Sequence, residues 1–85
     1  MKNRYGKEFS FEKVNETTYK FVMAEEDMLY MRCGGKRGQN GIDENDLGFF
    51  DPPGGPFVSV GYEVEGKSVT KIMRNKEGFF VEVEQ

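Results

Sequence analysis

Apolar and polar residues alternate along most of this chain with the two-residue period of a half-buried β-strand. Between Lys7 and Val14 the order Glu8-Phe9-Ser10-Phe11-Glu12 alternates strictly, and beyond Asn15-Glu16 the order Tyr19-Lys20-Phe21-Val22-Met23 does so again. Two such runs around an Asn-containing turn predict a β-hairpin. The polar turn Glu25-Glu26-Asp27 leads into Met28 to Cys33, read as a third strand. A helix over Ala24 to Met31 is the competing reading, because Ala, Glu, Met and Leu are good helix formers. In the second half, Phe57 to Glu65 sets Val58, Val60, Tyr62 and Val64 on one face and Ser59, Gly61, Glu63 and Glu65 on the other. Gly66-Lys67 predicts a tight turn, and Ser68 to Arg74 a strand with Val69 and Met73 on one face and Ile72 on the other. Asn75-Lys76-Glu77-Gly78 predicts the next turn, and Phe79 to Glu84 a closing strand with Phe79, Val81 and Val83 inward.

The expected fold is all-β. One domain over residues 1–85 forms a small five- or six-stranded antiparallel sandwich or barrel, made of two meanders joined by a long Gly/Pro-rich loop. Its core candidates are Phe9, Phe11, Tyr19, Phe21, Leu29, Met31, Val58, Val60, Val69, Val81 and Val83. The loop spans residues 34–56 and follows neither period, yet it holds seven of the 11 glycines and all three prolines. Structureless connections longer than ~12–15 residues in compact domains tend to be functional or disordered, so the search for a site begins there.

Composition narrows the chemistry. With 85 residues and 36% hydrophobic side chains there is enough apolar surface for one thin core. The chain has no His, which removes the usual acid/base near neutral pH, the Ser-His and Cys-His nucleophile pairs and the commonest metal ligand. A lone Cys33 makes neither an internal disulfide nor a zinc cluster. We therefore expect no enzyme, no cofactor and no metal; a small hydrolase working through Asp43, Asp46 or Asp51 ranks below every binding role. The formal net charge of −3 argues against a duplex-DNA partner. No apolar run approaches the ~20 residues that span a bilayer, and no secretory leader is evident. The Met start and unpaired thiol are read as a complete cytoplasmic chain. Burial and ordering nearly cancel in chains of this size, so a homodimer formed by edge-strand pairing is expected over a monomer.

Within the loop, Arg32-Cys33-Gly34-Gly35-Lys36-Arg37-Gly38 combines flexible backbone with three cations, the ingredients of an anion nest. Its spacing matches neither the phosphate loop nor the dinucleotide fingerprint, and a basic, solvated loop is the plainer account. Asp43-Glu44-Asn45-Asp46-Leu47-Gly48 begins like a calcium loop but places Leu47 at the fifth position and Gly54 at the twelfth, so a solvated acidic turn or an acidic contact patch is the better reading. In Phe49-Phe50-Asp51-Pro52-Pro53-Gly54-Gly55-Pro56-Phe57 the prolines force an extended or turning backbone. At least one of Phe49 and Phe50 is expected to tuck under the loop, leaving the other to anchor a partner or stack on a base. Candidate contact residues are thus Arg32, Lys36, Arg37, Asp43, Asp46, Phe49, Phe50 and Asp51.

The run Phe50-Asp51-Pro52-Pro53-Gly54-Gly55-Pro56-Phe57, continued by Val58-Ser59-Val60-Gly61, resembles a segment of short proteins from tailed bacteriophages. It covers 12 of the 85 residues. The resemblance implies a context, since small phage proteins outside the virion commonly bind and disable a host component, and it assigns no functional residue. The expected function is a non-enzymatic inhibitor or sequestering factor that meets a host protein through residues 34–56. The alternative is a protein that sequesters a nucleotide signal, holding its phosphates with Arg32, Lys36 and Arg37.

Overall fold

The computed structural model describes residues 1–35 and 47–85. Its elements follow as β1 (Phe9–Lys13), β2 (Thr18–Met23), α1 (Glu25–Met28), β3 (Arg32–Gly35), β4 (Leu47–Asp51), β5 (Val58–Ser59), β6 (Glu63–Val64), β7 (Lys67–Asn75) and β8 (Gly78–Val83). The all-β class holds. β1 and β2 form the expected hairpin, with Phe9 opposite Met23 and Lys13 opposite Tyr19. Asn15 shapes its turn by accepting the Thr17 amide at 3.0 Å, an Asx turn. β7 and β8 form the second hairpin, and Asn75 likewise accepts the Glu77 amide, at 2.8 Å.

The two halves do not build separate stacked sheets. β2 pairs directly with β8, Tyr19 opposite Val81, because both strands turn aromatic and branched residues to the same side. One antiparallel sheet results, in the order β1-β2-β8-β7-β4-β3, with β5 on β4 and β6 on β7. It curls until it is nearly closed. β2 and β4 are separated by two strands in that order, yet the Phe21 and Phe50 rings meet at 5.2 Å. On the other flank Phe11 of β1 meets Tyr62, beside β6, at 5.9 Å. The buried core inside the curl comprises Phe9, Tyr19, Phe21, Met23, Phe50, Val58, Val64, Val69, Ile72, Val81 and Val83.

Four expectations change. The segment Met28 to Cys33 is not one strand: α1 takes Glu25–Met28 and β3 starts only at Arg32, so Leu29 lies at the corner and is 77% exposed instead of in the core. The run Phe57 to Glu65 breaks into β5 and β6 at a turn in which Tyr62 N–H donates to Ser59 O at 3.0 Å. Gly61, the third residue of that turn, has φ +99°, a conformation side chains rarely accept, and the break leaves Val60 62% exposed. In β7 a bulge between Val69 and Lys71 adds a residue, so Val69 and Ile72 both face the core although they are three apart. Finally, the unpatterned stretch 34–56 supplies β4, a strand interior to the sheet order, and the first two of its glycines belong to β3.

Candidate functional site

Asp51 ends β4, and the chain then enters a reversal built by its prolines. Gly55 N–H donates to Pro52 O at 2.9 Å. Pro53 and Gly54 are thus the central residues, and Gly54 takes φ +81°, the pattern of a type II turn. The Gly55–Pro56 peptide is cis. This turn is held from far away in the sequence. Asn3 Nδ2 donates to Pro53 O at 2.8 Å and to Gly55 O at 2.9 Å, while its Oδ1 accepts the Tyr5 and Lys7 amides, each at 3.0 Å. The Tyr5 ring lies over Gly54 so closely that a Cβ there would stand 2.8 Å from it. The amino-terminal residues, read from sequence only as a non-leader, therefore clasp the turn that connects β4 to β5.

The clasp sets an aromatic face on the outside of the sheet. Phe50 points into the core, so by the alternation of β4 its neighbours Phe49 and Asp51 point outward. Across β3, Phe49 lies opposite Gly34 and Asp51 opposite Arg32. Gly34 has no side chain, and the Phe49 ring fills that space; a Cβ at Gly34 would land within the ring. On the other side Phe49 lies opposite Ser59, and its ring stacks on Phe57 with centroids 5.2 Å apart and planes 28° from parallel. Phe57 remains 55% exposed. Arg32 is exposed on the same face, and Leu29 and Tyr30 stand exposed just before it.

Of the eight candidate contact residues, the fold brings Arg32, Phe49 and Asp51 together on this face. Phe50 is corrected: it is fully buried at 0% exposure, packed between Phe21 and Phe79 at 5.2 and 5.3 Å, and anchors β4. Lys36, Arg37, Asp43 and Asp46 lie outside the described residues. Phe57, which sequence reasoning passed over, lies on the same face. Its signal was present, an aromatic just after a proline-ended turn, but its place over Phe49 depends on the β4–β5 pairing.

Cys33 is half-buried opposite Phe50. Burial pushes its thiol pKa up, and the nearby Arg74 guanidinium draws it partly back. A suppressed thiolate suits packing better than nucleophilic chemistry. Among the described residues no group of three or more Asp, Glu or Cys is placed to hold a metal ion. No helix among them is long and apolar enough to cross a membrane. Clefts lined by described residues lie against Glu12 and Lys20, against Glu16 and Lys67, against Phe11 and Tyr62, and against Glu8 and Phe9. Compared with protein-family models, curated proteins and solved structures, the chain matches none.

Proposed function

We propose that this chain is a non-enzymatic binding protein whose contact surface is the outer face of β3, β4 and β5, centred on Phe57, Phe49 and Arg32. The observation that carries this reading is the Phe49–Phe57 stack on the solvent side of the sheet, with Phe57 more than half exposed and an exposed Arg32 on the same face. Aromatic and Arg side chains are the residue types that dominate protein contact energies. The phage-like segment Phe50 to Gly61 contributes part of this face and supports a host protein of the cytoplasm as the partner, with inhibition or sequestration as the outcome. Residues 36–46 join the two strands of the face in sequence and include Lys36, Arg37, Asp43 and Asp46.

The test is affinity capture from bacterial lysate, quantified by mass spectrometry, with wild type, Phe57→Ser, Arg32→Glu and a chain in which only residues 36–46 are replaced by Gly-Ser. Replacement must stop there because 47–55 builds β4 and its turn. A host protein held by wild type and lost from the Phe57 and Arg32 variants supports the reading; an identical captured set from all chains overturns it. The nucleotide reading is favoured by one observation, an exposed Arg32 on the same face as an aromatic pair. It predicts a raised melting temperature with nucleotides, about 2.7 kcal/mol of added stability at 100 times the dissociation constant. Self-association belongs to the same proposal. β3 ends the sheet order and offers an edge for pairing. Light scattering that returns the 9.8 kDa of one chain at micromolar concentration overturns it.

A further inference from the structure

The curled sheet fails to close at one seam, between the outer edge of β1 and that of β6. A groove of about 400 Å³ runs along it, lined by Ser10, Phe11, Tyr62, Glu63, Val64 and Glu65 and ended by Met1. Both of its edges carry backbone groups. Phe9 N–H donates to Met1 O at 2.8 Å and Phe9 O accepts from the Met1 ammonium at 3.1 Å, so Phe9 turns its main chain away from β2. Antiparallel strands alternate in this respect, and Phe11 and Lys13 therefore turn their N–H and C=O groups outward as well. At the other edge Val64 pairs with Lys67 and Tyr62 O accepts the Val69 amide at 2.7 Å, which turns the Glu63 main chain outward by the same rule. No hydrogen bond among the described residues meets Phe11, Lys13 or Glu63 on these sides.

The side chains around the seam sort by face. Phe11 and Tyr62 form its floor toward the core, Glu63 stands exposed on the solvent side, and Glu65, also exposed, accepts the Tyr19 hydroxyl at 3.4 Å. Glu8, nearby, is already matched by the Met1 ammonium at 2.8 Å. We propose that this seam is a strand-addition site for an extended basic segment of a partner protein, with apolar residues over Phe11 and Tyr62 and Lys or Arg residues, one position out of step, toward Glu63 and Glu65. Main-chain bonds to Phe11 and Lys13 supply the pairing, and the two carboxylates supply the sign of charge. A second copy of this chain in the register that pairs Phe11 with Lys13 would set Glu12 against Glu12, like charges directly opposed.

The probe is a synthetic decapeptide of alternating valine and lysine, with a valine–glutamate decapeptide as control, read by fluorescence anisotropy and by amide hydrogen exchange of the full chain. The valine–lysine peptide is expected to bind and to slow exchange at Phe11 and Glu63. Glu63→Lys is expected to weaken it about tenfold, the equivalent of ~1.4 kcal/mol. Lys13→Pro removes an outward donor without breaking the β1–β2 ladder, so it is expected to weaken binding while leaving the melting curve near wild type. Phe57→Ser is expected to change nothing here, which separates this site from the aromatic face. Equal binding of the glutamate peptide, binding without slowed exchange at Phe11, or no binding each overturns the proposal. So does protection of Phe11 that grows with protein concentration alone, which assigns the seam to a second copy.

Discussion

Replacing Asn3 by Ala removes four hydrogen bonds at once, two donated to Pro53 O and Gly55 O and two accepted from Tyr5 and Lys7. The two donated bonds join residues 50 and 52 positions apart, so no local structure makes up for them. A hydrogen bond contributes ~0.5–1.5 kcal/mol net, and Asn3 is only half-buried, so the lower half of that range applies and the total is about 2–4 kcal/mol. A domain of 85 residues has about 4–13 kcal/mol of stability in all. The variant should therefore melt about 8–32 °C lower, since each kcal/mol moves the midpoint of a domain this size by ~4–8 °C. Circular dichroism at a strand wavelength measures this directly. Asn3→Asp keeps both acceptor bonds, loses both donors and sets a carboxylate against two carbonyl oxygens, so it should melt at least as early as Asn3→Ala. A midpoint for Asn3→Ala within about 3 °C of wild type would refute the reasoning, because the clasp would then contribute no more than an ordinary surface residue does.

The two neighbouring aromatics of the phage-like segment should behave oppositely. Phe50→Ala empties the core between Phe21 and Phe79 and should cost ~3–5 kcal/mol, enough to unfold a marginal domain, whereas Phe57→Ser should stay within ~0.5 kcal/mol by urea titration; comparable losses would show that the outer stack supports the fold. The turn from β6 to β7 places Gly66 at φ +82° with open space around it, so Gly66→Ala should cost ~1–2 kcal/mol of stability by urea titration through backbone strain alone, and an unchanged stability would count against that turn. With its pKa raised by burial, Cys33 should react with iodoacetamide at pH 8 more slowly than a free cysteine peptide, and unfolding in urea should abolish the difference; equal rates in the folded chain would contradict the burial of the thiol.

Strand alternation was readable from the chain wherever one face of a strand is buried and the other wet. Phe9, Tyr19, Phe21, Val81 and Val83 were assigned to the core from their spacing, and they lie there. Asn15 and Asn75 marked the two hairpin turns because an Asx turn is a local interaction, complete within three residues. Positions where a strand bends were not readable. Period-2 reasoning puts Val60 with the core and Ile72 on the face opposite Val69, and the Gly61 turn and the β7 bulge reverse both assignments. The outer face was half legible. Arg32, Phe49 and Asp51 were chosen from a distinctive local composition, but the same reasoning could not tell Phe49 from Phe50. Adjacent residues on a strand face opposite ways, and which one faces the core is set by the strand's partners.

By itself the sequence determined the all-β class, the two hairpins and most of the core, because these follow from side-chain period and turn chemistry over a few residues. Tertiary structure alone decided that β2 and β8 join the halves into one curled sheet, that β4 runs through a stretch without pattern, and that Asn3 holds the Pro53–Gly55 turn. Those contacts link residues tens of positions apart. Their free energy lies in packing and hydrogen-bond partners that no window of the chain contains, and that is also why the open seam beside β1 could not be read before the sheet was seen to curl.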